Sequence, residues 1–239
     1  MNIDDNDKDI TVDAADLSML QLSDSFFPTG MYSMSNGLEA IFYSGKKMKA
    51  EELRNLLKTL LEYQIGPADC TALANAYEHA SKVNLPKLIE VDRAIFSMKL
   101  IQEIRDASVR SGTQLIRCIR SFSDNEILGR YEDSIRVGQA FGPYPVALAV
   151  AANAFSIPKR KAALMMLYSF SVSIVGAALR LGMLQHFDGQ KVIDELKPTI
   201  VNVINANINR PIAGIWQFAP SMDIMQITHE RMNSKMFIT

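Results

Sequence analysis

Apolar residues that recur every three or four positions are the feature of this sequence that most restricts its fold. Between Glu51 and Gln64, charged side chains occupy the positions opposite a stripe formed by Leu53, Leu56, Leu57, Leu60 and Leu61. This spacing predicts an amphipathic α-helix. The same period recurs over 85–98, 100–119 and 192–204, whereas the sequence has no series of alternating strand-length runs joined by Asn-Gly or Asp-Gly turns. We therefore predict an all-α fold, a single compact multi-helix domain of about ten helices.

Turn-forming residues predict where these helices end. Gly66-Pro67 is expected to stop the first helix, and Asp188-Gly189 is expected to form a turn. Pro158 suits the first turn of a long apolar helix that is predicted to run from Lys159 to Gln185. Pro198 is expected to interrupt the last amphipathic helix, because proline lacks the N–H that continues a helix.

Composition narrows the class of protein further. The chain has 239 residues with 25 Lys and Arg against 26 Asp and Glu, a net charge of −1, which argues against a nucleic-acid partner. Its 48% hydrophobic content is enough for a substantial core. Two cysteines are too few for a disulfide framework, so we expect a cytoplasmic protein. The first residues are acidic, unlike a secretory signal, and residues 1–12 are predicted to form a disordered acidic tail.

One segment requires a test for membrane insertion. Ala162 to Leu179 comprises 18 residues without a charge, which is close to the shortest helix that spans a bilayer. The segment also contains Ser169, Ser171 and Ser173, and basic residues flank it on both sides. These features favour a buried helix of a soluble core over a membrane span.

No set of catalytic or metal-binding residues is visible in the spacing. His79, His186 and His229 are more than 40 residues apart, and no phosphate-binding loop is present. Asp24 and Glu39 flank a Pro-Gly turn, where carboxylates more often satisfy helix termini or backbone donors than act as acids and bases. For the same reason His229, beside an acidic residue, is interpreted as part of a polar helix face. We assign no catalytic, cofactor-binding or metal-binding residue.

Residues 20–39 form a motif that is more specific than any periodicity. They read Leu-Gln-Leu-Ser-Asp-Ser-Phe-Phe-Pro-Thr-Gly-Met-Tyr-Ser-Met-Ser-Asn-Gly-Leu-Glu. Gly30 permits a tight turn, Ser33 or Ser35 can cap the next helix, and Gly37 allows another backbone to approach closely. The segment resembles the opening motif of the UreF family of urease accessory proteins, which reads Leu-Gln-Leu, Asp-Ser, Pro-x-Gly, an aromatic residue and Ser-x-Ser-x-Gly-Leu-Glu.

Three further blocks resemble the same family in the same order. Glu103 to Ser108 is similar to its Glu-x-Arg-x-x-Ser helix. Ala177 to Leu181 with Asp188-Gly189-Gln190 is similar to its Ala-Ala-x-Arg-Leu helix end and Asp-Gly-Gln turn. The segment from Phe218 to Phe237 resembles its tail, which carries Pro-x-x-Asp and His-Glu. The sequence departs from the family pattern at His186, Phe187 and Lys235, and an ammonium at position 235 forms different contacts from the usual guanidinium.

The resemblance implies an all-α, non-catalytic chaperone that works as a homodimer, without nucleic acid or membrane. It implies that the chain binds the UreD/UreH accessory protein, recruits the GTPase UreG and contacts the urease apoprotein through that complex. Nickel is the implied cargo, with no cofactor held tightly by this chain. The residues carried over as candidate partner contacts are Ser33, Ser35, Gly37, Glu39, Arg105, Arg180, Gln190, Pro220, Asp223, His229, Glu230, Lys235 and Phe237.

The resemblance also divides the chain into a helical domain over 13–217 and a partner-binding C-terminal segment over 218–239. The apolar end of that segment is expected to order in a partner groove. The alternative is that it packs on its own domain. Arg180 likewise has two interpretations, capping the C-terminus of its helix or forming a bidentate bond across a dimer interface.

Two other functions remain open at this point. In the first alternative, the chain regulates GTP hydrolysis by inserting Arg105, Arg180 or Glu39 at the GTPase site, since an inserted arginine stabilises the transition state of phosphoryl transfer. A metal enzyme built from the three histidines and two cysteines is less favoured, because their spacing defines no ligand set.

Overall fold

The computed structural model describes residues 13–45 and 48–239, so the predicted acidic tail over 1–12 lies outside the described residues. Within these ranges the chain forms helices, turns and loops and no strand, which confirms the all-α prediction. The α-helices are α1 (Ala14–Ser23), α2 (Leu38–Tyr43), α3 (Ala50–Leu60), α4 (Thr71–Ser81), α5 (Leu85–Met98), α6 (Gln102–Arg120), α7 (Glu126–Arg136), α8 (Tyr144–Ala154), α9 (Lys159–Arg180), α10 (His186–Asn207) and α11 (Pro220–Glu230).

The core is built around α8. Nine consecutive residues of this helix, Tyr144 to Ala152, are buried, and most of them are alanine or valine. Small side chains let α4 and α6 pack closely against it. Pro143 precedes the helix and Pro145 lies in its first turn, where a missing N–H costs no hydrogen bond. The short apolar helix is therefore the element on which the longer ones assemble.

The long helix α9 contains the uncharged segment. Its length and mean hydropathy of 1.9 are sufficient to cross a membrane, but 61% of its apolar window is buried inside the protein. It packs against α8 on one side and α10 on another. This burial is typical of the core helix of a soluble domain. The helix ends at Arg180 and not at Gln185 as predicted, because Gly182 adopts a φ of 71° and the amides of Gly182 and Met183 bond back to the last turn.

The prediction that Gly66-Pro67 stops a helix is wrong. The chain continues from α3 to α4 through a π-helical segment, Leu61–Cys70, that contains Pro67. A proline excludes the hydrogen bond to the carbonyl four residues earlier, which here belongs to Tyr63. That carbonyl instead accepts a hydrogen bond from the Phe218 amide at 2.7 Å. A widened turn and a distant amide thus replace the bond that Pro67 removes.

Two other predicted interruptions lie inside α10. Asp188-Gly189 forms no turn between helices but lies in the first turn of α10, where an added Cβ at Gly189 would lie 2.9 Å from a methyl of Val175 on α9. The glycine therefore allows two helices to pack closely. Pro198 does not interrupt α10 because it is exposed, so that water can solvate the carbonyl that its ring leaves without a partner.

Gly112 in α6 provides a test of this packing. A Cβ at this position would lie 2.1 Å from the carbonyl oxygen of Gly142, a backbone atom in the loop before α8. We expect Gly112→Ala to lower the free energy of unfolding by about 2 kcal/mol, since forced overpacking outweighs the gain in helix propensity. Urea denaturation measures this value. The matched control is Gly176→Ala in α9, where an added Cβ meets no atom within 4 Å; equal stabilities of the two variants would contradict the prediction.

Candidate functional site

The motif at residues 30–39 folds against the C-terminal helix. Gly30 has a φ of 79° and precedes a 3₁₀ helix, Met31–Ser33, as the predicted tight turn requires. Gly37 has a φ of 88°. A Cβ there would lie 3.0 Å from the Gln226 side chain and 3.1 Å from the backbone nitrogen of Gln226. The predicted close approach of a second backbone is therefore present, and the second backbone belongs to α11.

Glu39 is the central residue of this contact. It lies in the first turn of α2, and its side chain is 0% exposed. Its Oε1 accepts a hydrogen bond from the Met236 amide at 2.7 Å, and its Oε2 accepts one from the Phe237 amide at 3.0 Å. Glu39 therefore satisfies backbone donors, but these lie almost 200 residues away in the chain and not at the Pro-Gly turn, where the sequence predicts them.

His229 joins Glu39 to a second carboxylate. Its Nε2 lies 2.9 Å from Glu39 Oε2, and its Nδ1 lies 2.7 Å from Glu103 Oε2. An imidazole whose two nitrogens both face carboxylates can donate to both only as the imidazolium cation. Lys235 adds a cation to this group by donating from Nζ to Glu103 Oε1 at 2.6 Å. We call Glu39, Glu103, His229, Lys235 and the amides of Met236 and Phe237 the C-terminal latch.

The interpretation of His229 as part of a polar helix face is wrong, because its side chain is 0% exposed. Its neighbour Glu230 does face solvent, so the interpretation is correct for Glu230 and wrong for His229. The difference arises because α2 and α6 bring Glu39 and Glu103 to opposite sides of the imidazole. Each buried charge thus lies beside an opposite one, which compensates part of the desolvation cost.

The environment of Glu39 changes its acidity. Burial of the carboxyl raises its pKa, but the hydrogen bonds from the Met236 amide, His229 and the Phe237 amide outweigh burial, so the pKa is lower than usual. The folded protein therefore favours the charged carboxylate, which contributes stability at neutral pH.

The last residues of the chain pack on their own domain. The Ile238 amide donates to the Ser33 carbonyl at 2.8 Å, and the Ser35 amide donates to the Thr239 carbonyl at the same distance. Ser35 Oγ also donates to the Thr239 carbonyl and accepts a hydrogen bond from the Glu39 amide at 3.3 Å. The C-terminal segment therefore packs on its own domain, which is one of the two arrangements that the sequence allows. Docking of the segment into a partner groove stays a prediction.

Arg180 borders the same region. Its guanidinium lies 3.9 Å from the centre of the Tyr32 ring and 4.5 Å from that of the Phe237 ring, and its Nε donates to the Gly176 carbonyl at 3.1 Å. Gly176 lies four residues before Arg180, so its carbonyl is already within reach of the helical amide of Arg180, and this bond does not decide the capping interpretation. A role of Arg180 across a dimer interface stays a prediction.

The remaining candidate residues lie at or beyond the margin of the latch. Glu230 Oε2 accepts a weak hydrogen bond from the Glu103 amide at 3.4 Å. Pro220 begins α11, and Asp223 follows in its first turn. Arg105 stacks on Phe96 and donates to the Lys99 carbonyl, and Gln190 is exposed in α10.

Sequence reasoning left out two residues that complete this region. Glu103 bonds both cations of the latch, and Tyr32 covers one face of Arg180. Both belong to matched motifs, so the signal was present, but neither position suggests its partner. Glu103 is separated from His229 by 126 residues, and only the fold brings them together.

A small cavity of about 80 Å³ lies behind the latch, among α6, α9, α11 and the π-helical segment. Asp69, Ser111 and Asp223 line it, each with a buried side-chain oxygen that has no hydrogen-bond partner among the described residues. Lys99 donates to the other Asp69 oxygen at 2.8 Å. Such oxygens can order water. Across residues 13–45 and 48–239 no three His, Cys, Asp or Glu side chains are grouped to hold a metal ion.

The fold and the latch define a class of protein: an all-α body whose most extensive buried polar cluster holds a segment of its own chain. Comparison with known proteins makes the class specific. The sequence model of the UreF family matches residues 48–197. The chain is 30% identical over 221 residues to the urease accessory protein UreF of Trichodesmium erythraeum (strain IMS101), an alignment that covers 92% of this chain and 95% of that protein.

Other relatives give the same result. The chain is 31% identical to urease accessory protein UreF 1 of Brucella melitensis biotype 1, over 93% of this chain and 92% of that protein. It is 27% identical to the urease accessory protein UreF of Bacillus sp. (strain TB-90), over 93% of this chain and 98% of that protein. The chain therefore belongs to the UreF family of urease accessory proteins, as its motifs predict.

Replacing Glu39 tests the latch. We expect Glu39→Gln to destabilise the docked C-terminal segment by about 3–5 kcal/mol, because a neutral amide cannot replace the buried carboxylate that His229 and the Met236 and Phe237 amides face. Amide hydrogen exchange at residues 236–239 measures the change. The control is Glu90→Gln, which removes an exposed ion pair with Lys87 and should change stability by less than about 0.5 kcal/mol. Unchanged exchange in Glu39→Gln would show that the latch does not hold the segment.

The lowered pKa of Glu39 predicts the pH dependence. A carboxyl whose pKa is lower in the folded state contributes stability above its unfolded pKa, about 4.3, and loses it as the pH falls through the folded value. The difference in free energy of unfolding between the wild type and Glu39→Gln should therefore shrink as the pH falls from about 5 to 3, where Glu39 takes up its proton. Denaturation of both proteins over this range measures it; a difference that grows between about pH 5 and 3 contradicts the assignment.

Proposed function

We propose that this chain is a nickel-insertion chaperone of urease maturation that bridges a UreD/UreH-type accessory protein and the GTPase UreG. Membership of the UreF family supports this role, since its relatives are urease accessory proteins. In this proposal the chain is not an enzyme. It works in the cytoplasm as a homodimer and contacts the urease apoprotein through the complex. Nickel is the cargo of that complex and not a cofactor that this chain holds.

One structural observation carries the bridging role. The latch turns Phe237 inward, while apolar side chains of the same region remain exposed to solvent: Phe218 at 69%, Ile224 at 59% and Met236 at 61%. Exposed apolar groups that are held in place by buried contacts bind a partner with little loss of conformational entropy. We therefore assign the outer side of the C-terminal segment to the UreD/UreH-type partner.

The regulatory alternative has less support. An inserted side chain must reach a nucleotide in another protein, but Glu39 is fully buried and Arg105 lies against Phe96. Arg180 is covered by two rings. Each of these residues has to break contacts within its own chain before its side chain can reach the GTPase site of another protein. Equal GTP turnover by UreG with and without this protein would exclude the alternative.

Surface substitutions test the bridging role without removing the latch. We expect Ile224→Glu combined with Met236→Glu to weaken capture of the UreD/UreH-type partner at least tenfold, since a charge at an apolar contact adds a desolvation cost of more than about 1.4 kcal/mol. Pull-down and light scattering with the purified partner and UreG measure capture and stoichiometry.

The matched control is Val201→Glu, an equally exposed apolar position on α10. This variant should bind the partner like the wild type. Capture that is unchanged in the double variant, with the fold intact by circular dichroism, would refute the assignment of this surface. Failure of the wild-type chain to bind the partner would refute the proposed function itself.

A further inference from the structure

Arg180 is a partly buried cation that has no counterion in the described part of the chain. Its Nη2 is buried and has no hydrogen-bond partner, and no carboxylate lies within 4 Å of the guanidinium among residues 13–45 and 48–239. The Tyr32 and Phe237 rings lie against the guanidinium, with their centres 3.9 and 4.5 Å from its central carbon, and its Nε donates to the Gly176 carbonyl. A guanidinium normally directs its N–H groups at carboxylates or carbonyls. Here only its edge is left for a further acceptor.

A cavity of about 270 Å³ lies beside this edge. Its polar lining includes Thr29, Tyr168 and Ser169, and hydroxyl groups of this kind donate hydrogen bonds to anions. Arg180 and Asp24 are its charged lining residues, and Asp24 is exposed and occupied in accepting the Phe26 amide at 2.7 Å. Water screens the exposed Asp24 charge more than it screens the partly buried Arg180. The cavity therefore favours an anion.

Size and shape restrict that anion. The cavity is smaller than the sites of about 300–1,000 Å³ that accept drug-sized molecules. Because two rings lie against the guanidinium and its Nη2 has no acceptor among the described residues, the favoured approach of a ligand is in the plane of the N–H groups, which is the geometry of a bidentate pair with a carboxylate. We propose that the cavity beside Arg180, which we call the Arg180 cavity, binds a small molecule that carries a planar carboxylate.

Occupation of the Arg180 cavity affects the C-terminal segment. A carboxylate on the edge of the guanidinium restrains Arg180 between Tyr32 and Phe237, and the Phe237 amide is one of the bonds of the latch. A ligand that binds the closed form alone shifts the equilibrium toward that form. The anion should therefore slow hydrogen exchange at residues 236–238. This inference does not depend on the proposed partners.

The test is a titration of the full chain with sodium acetate at constant pH and ionic strength, with sodium chloride as the reference salt. The side-chain Nε–Hε resonance of Arg180 and the amide of Phe237 should shift in a saturable way with acetate and not with chloride. Inorganic phosphate, which is tetrahedral, should bind more weakly than acetate. Arg180→Lys should weaken acetate binding at least tenfold, whereas Arg136→Lys, on an exposed arginine, should bind like the wild type.

A second variant keeps the test valid if Arg180→Lys disturbs the fold. Gly176 lines the cavity, and an added Cβ there meets no atom within 4 Å, so Gly176→Leu fills the cavity while Arg180 is retained. This variant should lose the acetate response. A wild-type chain whose Arg180 and Phe237 resonances do not respond to acetate, or a Gly176→Leu variant that binds acetate like the wild type, would overturn the proposal. Partner capture measured in parallel separates this result from the proposed function.

Discussion

The buried Glu39 carboxylate is the interaction on which the position of the C-terminal segment depends. One side chain accepts hydrogen bonds from two backbone amides and a histidine, so it fixes α11 and the end of the chain against α2 at once. Lys235 pairs with Glu103, and His229 lies between Glu39 and Glu103, so both carboxylates have close polar partners. Because a buried carboxylate without such donors is strongly unfavourable, the cluster is stable only when all its members are in place.

Pro67 provides a second anchor for the same segment, by a different physical route. The carbonyl of Tyr63, which Pro67 deprives of its helical partner, bonds the amide of Phe218 just before α11 begins. The C-terminal segment is therefore attached at both ends. Its beginning bonds to the π-helical segment, and its end is held by the C-terminal latch. Its apolar outer residues are presented between these two anchors, which is the basis for assigning a partner to them.

The helices that were predictable are those with one apolar face. Leu53, Leu57 and Leu60 of α3 lie in the core as their spacing indicates, and Leu56 packs partly buried against it, because an amphipathic helix buries its apolar face. Proline and glycine misled the prediction at Pro67, Gly189 and Pro198, where tertiary contacts or solvent satisfy what the residue removes. The motifs identified most of the latch, but a motif records which residues are present and not which of them meet.

The sequence by itself determined the all-α class, the family and most of the residues around the C-terminal segment. Periodicity and motif are local properties, so they can be read along the chain. Only the tertiary structure decided that His229 is buried between two carboxylates, that Glu103 completes the cluster, and that Arg180 faces a cavity with no counterion from the residues that the structure describes. These facts depend on distances between residues that lie far apart in the sequence, and electrostatic energy is set by distance and burial in space.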